Sequence, residues 1–362
     1  MSGVLTATPR IRTAAALTSS SVTIVSVESG FSRIIVFAVK FLRLAGAWIA
    51  ALSIAACSIG SSSTPKQRLS IATGGTGGVF YPYGGGIAKV ISENLPGVEA
   101  TAEVTAASVD NLKFLKQGTS DIAFTMADTA QDALGGKEGF EGIGAVPVRT
   151  LAVLYASYVH LVTLEDSGIH RLSDLRGRTV STGAAGSGTT VLANRMLHAA
   201  GLNPARDIRA QSLGVAQSVD ALKDGKIDAF FWNAGLPTAS ILDLVNTPGI
   251  RARFIATEEI VPLLHRTYGP SLYYTAVIPK GTYKTNPDVP VVAVANLLVV
   301  SESMPEMLAH DITQLLFDRK SELAAIHPQA SELAIETALK GSPIPFHAGA
   351  ERYYRERQVW PQ

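Results

Sequence analysis

Short apolar runs, glycine-rich loops and helical patterns follow one another in a fixed order after residue 68. Residues 69–72 are an apolar strand candidate, and the loop 73–78 that follows contains four glycines. A helical pattern then runs from about residue 81 to residue 94. This order predicts a strand, a glycine-rich turn and a helix.

The same series returns later in the chain. Residues 179–181 precede the loop 183–188, and apolar residues at helical spacing over 189–200 predict a helix that Gly201 ends. Downstream, the hexapeptide that begins at Ser108 matches the one that begins at Ser218, and both are predicted to start helices. We therefore expect two related βαβα units.

Alternation of strands and helices predicts an α/β fold with two lobes, each a mostly parallel sheet flanked by helices. Ligands of such sheets bind at the carboxyl ends of the strands, so a cleft between the lobes is expected. Apolar runs predict crossover strands at 151–154, 159–164 and 274–278, and helical signals are read at 291–300 and 304–317. The predicted boundaries are 68–160 plus 273–362 for lobe 1 and 161–272 for lobe 2.

The two glycine loops carry the main chemical signal. A strand that turns through glycines into a helix leaves backbone N–H groups unpaired, and the helix dipole favours an anion there. Candidate ligand-binding residues in the loops are Gly75, Thr76, Gly77, Ser187, Gly188 and Thr189. Two such loops that face one cleft predict a site for a carboxylate or phosphate.

Further candidates lie near the predicted cleft: Tyr81, Ser108, Asn111, Met126, Asp128, Tyr155, Asn233 and Gly235. For Met126, Tyr81 and Tyr155, core packing is an equally good interpretation. For Asp128 and Asn233 the alternative is a turn residue that bonds its own backbone.

Composition and the missing motifs narrow the classes of function that this chain is expected to have. The net charge of +1, from 31 basic and 30 acidic residues, gives no basic face for nucleic acid. Neither loop has the Walker A lysine or the dinucleotide-binding spacing, and motifs of zinc proteases, serine hydrolases and dithiol oxidoreductases are missing. We expect no cofactor, no metal site and no enzymatic activity; His160 and His198 are interpreted as structural.

The N-terminus reads as an export signal. An uncharged apolar run over 44–56 follows Lys40 and Arg43 and is too short to span a bilayer. Its end, Ile-Ala-Ala before Cys57, resembles a bacterial lipobox, which predicts lipid attachment to that cysteine. Residues 1–57 are therefore predicted to be an extension with a lipoprotein signal peptide and 58–67 a flexible tether. An ordinary signal peptide or an uncleaved anchor is the alternative.

Several segments together resemble the TAXI family of TRAP-transporter solute receptors. The matching stretches are 72–82, 174–180, 183–189, 278–283 and 346–350, and the resemblance extends from Leu69 to Tyr354. It implies a type II periplasmic-binding fold and a receptor that captures a small organic acid outside the cytoplasm. The receptor would capture glutamate or a related dicarboxylate and deliver it to integral-membrane TRAP subunits driven by an ion gradient. The lipobox is a departure, since many such receptors diffuse freely in the periplasm. An exported enzyme or a ligand-sensing surface module without a transporter remain alternatives.

Overall fold

The computed structural model describes residues 67–283 and 287–361. The predicted extension, signal peptide, Cys57 and the tether up to residue 66 lie outside the described residues. None of the described helices has the length and apolar character that a bilayer crossing needs.

The strands of the described chain form one sheet. They are β1 Gln67–Ala72, β2 Val98–Glu103, β3 Ile122–Met126, β4 Val148–Leu164, β5 Thr179–Ser181, β6 Arg209–Gln211, β7 Ala229–Ala234, β8 Ala252–Ile255, β9 Tyr273–Ile278 and β10 Val289–Ser301.

Ten α-helices flank this sheet within the described ranges. They are α1 Phe80–Asn94, α2 Ser108–Gln117, α3 Ala127–Gly135, α4 Gly188–Ala199, α5 Val215–Lys223, α6 Ala239–Asn246, α7 Val261–Tyr268, α8 Glu306–Asp318, α9 Lys320–Ile326 and α10 Ala348–Glu356. Short 3₁₀ turns lie at Glu138–Phe140, Leu172–Leu175, Glu258–Ile260 and Pro328–Glu332.

The predicted repeat is present in the strand order. In the first repeat, residues 67–126, β1 lies between β2 and β3 and is parallel to both. In the second repeat, residues 179–234, β5 lies between β6 and β7 with the same parallel pairing. Each group then continues into an antiparallel strand, β10 beside β3 and β4 beside β7. The prediction of an α/β fold built from two βαβα units is confirmed.

Two long strands join the repeats. The first part of β4 pairs with β10, and its last residues pair with β7 and β8. The predicted strands at 151–154 and 159–164 are therefore one continuous strand. The run at 274–278 lies in β9, which pairs with β10 at the edge of the sheet rather than crossing between repeats. The proposed lobe boundaries stay a prediction.

The helix predicted at 291–300 is wrong, because these residues belong to β10. Almost every side chain of this strand is buried, so its sequence is apolar without alternation. A continuous apolar run fits a buried strand and a buried helix equally well by periodicity. Its β-branched valines favour the strand. The neighbouring prediction at 304–317 is confirmed by α8.

The second predicted helix start also needs correction. α2 begins at Ser108 as expected, but α5 begins at Val215, so Ser218 lies one turn inside the helix. The backbone N–H of Gly214 donates to Oε1 of Gln217 at 3.2 Å and closes the first turn there. Ser218 instead shares a hydrogen bond of 2.8 Å with Ser181 of β5.

The core holds the repeats in place from both faces. One apolar cluster beneath α1 takes in the C-terminal helices, where Tyr353 and Tyr354 are buried against Phe317. Another cluster includes residues of both repeats, such as Leu112 and Leu192. Full burial of one such side chain stabilises the fold by about 1.5–3 kcal/mol. The strand ends that carry the glycine loops are therefore fixed against a shared core.

Candidate functional site

A cavity of about 160 Å³ lies where the two repeats meet. Its wall contains residues of the loops after β1 and β5 and of the ends of β3 and β7. These are the carboxyl ends of parallel strands, where ligands of α/β sheets bind. The volume suits a small metabolite rather than a drug-sized molecule.

Four helices begin at this cavity, two from each repeat. The lining residues at their starts are Val79 and Phe80 of α1, Ala107 and Ser108 of α2, Ser187 and Gly188 of α4, and Gly214 and Val215 of α5. The first N–H groups of a helix have no partner inside the helix, and the helix dipole places partial positive charge there. Two of these N–H groups are already used, because Val109 and Asp110 of α2 donate to the carbonyl of Gly186. The starts of α1, α4 and α5 remain as positions of the kind that suits an anion.

The wall itself is uncharged. None of the twenty described residues that line the cavity is an acid, a base or a histidine. Apolar side chains, among them Phe80, Met126 and Trp232, cover part of the surface. Hydroxyls of Ser108 and Thr189 add neutral hydrogen-bonding groups. Such a wall fits a ligand with one polar end and an apolar body.

Hydrogen bonds between the two sides bridge the rim of the cavity. The carbonyl of Gly186 accepts the N–H groups of Val109 and Asp110, each at 3.1 Å. On the opposite rim the carbonyl of Gly77 accepts from the hydroxyl of Ser240 in α6 at 3.3 Å. The structure is therefore a closed arrangement of the cleft.

Glycine is required at both rims. At Gly186 the backbone has φ +81°, and an added Cβ would lie 2.5 Å from the carboxylate of Asp110. An added Cβ at Gly77 would overlap the hydroxyl of Ser240. The glycines of the two loops thus serve close approach across the cleft as well as local turn geometry.

Ala107 holds a strained backbone beside the cavity. Its φ of 85° and ψ of −148° lie in a region that only glycine adopts readily. Its N–H donates to the hydroxyl of Thr105 at 2.9 Å, which helps to fix the turn before α2. Strain of this kind costs about 1–3 kcal/mol and concentrates at functional sites.

Seven of the predicted site residues line the cavity together: Gly75, Ser108, Met126, Ser187, Gly188, Thr189 and Asn233. Ser187 also has the predicted position before the helix, since its hydroxyl accepts the N–H of Thr190 at 3.2 Å. The structure brings both glycine loops and both strand ends to one place, as the repeat implied.

The other seven lie outside the lining: Thr76, Gly77, Tyr81, Asn111, Asp128, Tyr155 and Gly235. Thr76 is exposed, and Tyr81 is half-buried in the first turn of α1. Gly235 packs against Gln329, whose amide oxygen accepts the N–H of Leu236.

Asn111 supports the wall from behind. Its amide donates to the carbonyls of Thr73 and Phe124 at 2.7 and 2.8 Å, and its oxygen accepts the hydroxyl of Thr105 at 2.5 Å. These bonds join the ends of β1 and β3 to the turn before α2. Asn111 therefore positions the loops, and its amide N–H groups donate to protein carbonyls rather than to a ligand.

Tyr155 is buried in the core next to Tyr83. The ring centroids are 6.1 Å apart in a stacked arrangement. Burial, with Tyr83 adjacent, raises the pKa of the Tyr155 phenol well above its ordinary value. The side chain of Tyr155 packs in the core, as the alternative to a ligand contact predicted.

Asp128 belongs to a buried charge cluster. Its carboxylate accepts the hydroxyl of Tyr273 at 2.9 Å and lies 3.8 Å from Arg195 of α4. Arg195 also donates to Asp132 at 2.6 Å and to the hydroxyl of Tyr273 at 2.8 Å. The cluster joins α3, which follows the first repeat, to α4 in the second.

The stability contributed by Asp132 is expected to depend on pH. Burial, only partly offset by Arg195, raises the pKa of Asp132 from 3.8 to about 6. The folded state therefore binds this proton more tightly than the unfolded state, so the contribution falls as pH rises from 3.8 to about 6. The thermal midpoint measured across this window in Asp132→Asn should fall less with pH than in the wild type. A substitution of the exposed Glu141→Gln, which is not among the groups that shift the pKa of Asp132, serves as the control and should keep the wild-type slope. Equal slopes in all three proteins would contradict the assignment.

Several lining residues were not among the sequence candidates. They are Gly74, Gly78, Val79, Phe80, Thr105, Ala106, Ala107, Ala184, Gly214, Val215, Gln217 and Ala234. Trp232 also lines the cavity, and its position at the end of a predicted strand of the second repeat fits ligand contact and core packing equally well. Gly214 with Gln217 three residues later is a helix-start signal that could have placed α5 correctly. The apolar members carry no signal of their own, because core and cavity wall select the same residue types.

The comparisons with known proteins come from a family model and from solved structures. The model of the NMT1-like family matches residues 71–357. This range includes the second repeat, all but the first four residues of the first repeat, and every residue of the cavity wall.

The solved structures to which this chain is similar are distant. The periplasmic aliphatic sulphonate binding protein SsuA of Escherichia coli is 16% identical over 82% of this chain and 94% of its own, with a TM-score of 0.43. The alkanesulfonate-binding protein SsuA of Xanthomonas axonopodis pv. citri, bound to MOPS, is 16% identical over 83% and 96%, with a TM-score of 0.45. The GluR0 ligand-binding core in complex with L-glutamate is 10% identical over 75% and 98%, with a TM-score of 0.46. Likeness at this level does not select a ligand for this chain.

Proposed function

Because the chain belongs to the NMT1-like family, we propose that it is an extracytoplasmic solute-binding protein that serves a small-molecule membrane transporter. The ligand is a small organic anion held in the cavity between the two repeats. The observation that carries this proposal is the convergence of four helix N-termini on one cavity with an uncharged wall.

The cavity explains how an anion is held without a basic side chain. Backbone N–H groups at helix starts donate to a carboxylate, and little ordering is needed because the helices are already fixed. The rim contacts at Gly77 and Gly186 hold the two sides of the cavity together. A hydrogen bond in a partly apolar interior is stronger than one in solvent. The apolar residues Phe80 and Trp232 receive the rest of the ligand.

Ligand capture works by closure. In an open form the ligand meets one repeat, and the second repeat adds its donors only when the cleft closes. The ligand therefore stabilises the closed state by its additional contacts. The transporter distinguishes loaded from empty receptor by this closed shape.

The proposed type of transporter, the location and the ligand class rest on the resemblance to TAXI receptors. It supports a TRAP-type transporter driven by an ion gradient, an exported location, and tethering through a lipid on Cys57. It also places glutamate-like acids and dicarboxylates among the ligands to be tried. The stretches 72–82 and 183–189 that carry the resemblance include residues of the cavity wall.

An exported enzyme in the same cleft finds no support in the wall. General acid–base catalysis needs a titratable group within reach of the substrate. The twenty described lining residues include no carboxyl, imidazole, thiol, amine or phenol. The proposed role is capture and delivery.

A calorimetric panel tests the proposed ligand class. The purified protein, freed of bound ligand by unfolding and refolding, is titrated with carboxylic acids of three to six carbons, dicarboxylates and amino acids. Each acid is paired with its primary amide, which has the same shape without the charge. We expect at least one acid to bind and its amide to bind at least tenfold more weakly. At a hundredfold excess over Kd the acid should stabilise the fold by about 2.7 kcal/mol. Equal binding of acids and amides would refute the anion site.

A further inference from the structure

Asn233 at the end of β7 carries a buried hydrogen-bond acceptor without a partner in the wall of the cavity. The residue lines the wall and is 8% exposed. Its Nδ2 lies 2.8 Å from the sulfur of Met126, and its Oδ1 is buried with no protein partner. A thioether sulfur can only accept, so the amide N–H is the group that faces it. The carbonyl oxygen is therefore the atom left over for a ligand.

A buried carbonyl oxygen without a donor costs free energy that a ligand can recover. Three kinds of ligand group can donate to it, namely a hydroxyl, an uncharged N–H and an ammonium. An ammonium would be buried with no carboxylate among the twenty described lining residues and close to four positive helix ends. The donor that fits is uncharged, and a hydroxyl is the smallest one.

We propose that the ligand is a small hydroxy acid, whose hydroxyl donates to Oδ1 of Asn233 while its carboxylate is held at the helix starts. This inference rests on the proposed function, since it adds a second polar contact to the same anion site. Asn233 then determines specificity by discriminating a hydroxy acid both from the plain fatty acid and from the amino acid of the same skeleton.

The test compares matched ligands. Pentanoate, its 2-, 3- and 4-hydroxy derivatives and the corresponding amino acids are titrated by calorimetry, with shorter and longer chains of three, four and six carbons treated alike. In the wild type, one hydroxy isomer is expected to bind roughly tenfold to a hundredfold more tightly than the plain acid. The matching amino acid is expected to bind more weakly than the plain acid.

Two variants of Asn233 distinguish loss of the hydrogen bond to the ligand hydroxyl from a general effect on folding. Asn233→Leu has similar size and no polar atom, so the hydroxyl advantage should fall to less than threefold. Asn233→Asp has the same shape and adds a negative charge, so binding of the amino acid should strengthen and that of the hydroxy acid weaken. Asn94→Leu in α1 is the matched control away from the cavity and should keep wild-type discrimination.

The outcomes distinguish this inference from the proposed function. If plain and hydroxy acids bind the wild type equally, or if Asn233→Leu keeps the preference, the hydroxy-acid inference is overturned while the anion site stands. Tighter binding of an amino acid by the wild type overturns it as well. If no acid of this set binds but a dicarboxylate of the first panel does, the inference is overturned while the anion site stands; if neither binds, both fail together.

Discussion

Replacing Gly188 with valine is expected to abolish ligand binding and leave the protein folded. Gly188 begins α4, and a Cβ added there would overlap the methyl of Met126 and lie 2.8 Å from the hydroxyl of Ser108. Both neighbours belong to the first repeat, so the valine would keep the repeats apart. We expect Kd to rise at least a hundredfold, which corresponds to about 2.7 kcal/mol, and the ligand-induced shift in thermal midpoint to vanish.

The matched control is Gly85→Val in α1. A Cβ at Gly85 meets nothing within 4 Å, so the same substitution there adds bulk without a clash. Calorimetry and thermal unfolding of both variants, with the acid selected from the panel, measure the effect. Binding by Gly188→Val within threefold of the wild type would show that closure does not bring these residues together.

Replacing Arg195 with methionine is expected to be the most destabilising change outside the cavity. Arg195 is 4% exposed and donates to Asp132 and Tyr273, and its removal leaves Asp128, which is fully buried, without a cation. Loss of one partner of a buried ion pair costs about 3–5 kcal/mol. Urea denaturation should show a fall of that size in the free energy of unfolding.

The double variant Arg195→Met with Asp128→Asn distinguishes an unpaired charge from lost packing. If the uncompensated carboxylate is the main cost, the second substitution recovers part of the loss. Arg171→Met breaks an exposed pair with Asp174 and should change stability by less than about 1 kcal/mol. If Arg195→Met also changes the free energy of unfolding by less than about 1 kcal/mol, the charge cluster contributes little to the stability of the fold.

Local signals predicted the repeat well. Strand, glycine loop and helix follow one another within about thirty residues, a span set by short-range geometry. The paired loops, the helix after each and the strands at 121–124 and 228–231 were predicted from such patterns, and β1, β3, β5 and β7 confirm them. The position of the site at the carboxyl ends of these strands followed from the parallel order alone.

Contacts between residues far apart in the chain decided the structures that the local sequence patterns left ambiguous. β10 pairs with β3, β4 and β9 along its edges and is buried on both faces, so its apolar run lacks the alternation that marks a half-exposed strand. Tyr155 and Asp128 were chosen as site residues because they lie next to predicted strand ends. The fold turns Tyr155 towards Tyr83 and Asp128 towards Arg195, two contacts between residues far apart in the chain.

The sequence by itself determined the two βαβα units and their glycine loops, because these depend on neighbouring residues and on helix geometry. The tertiary structure alone decided which residues form the wall. Asn233 meets Met126, and Gly188 meets Ser108, only after the two repeats close on each other. Such contacts join residues that no local pattern links, so they follow from the packing of the whole chain and not from any one segment of it.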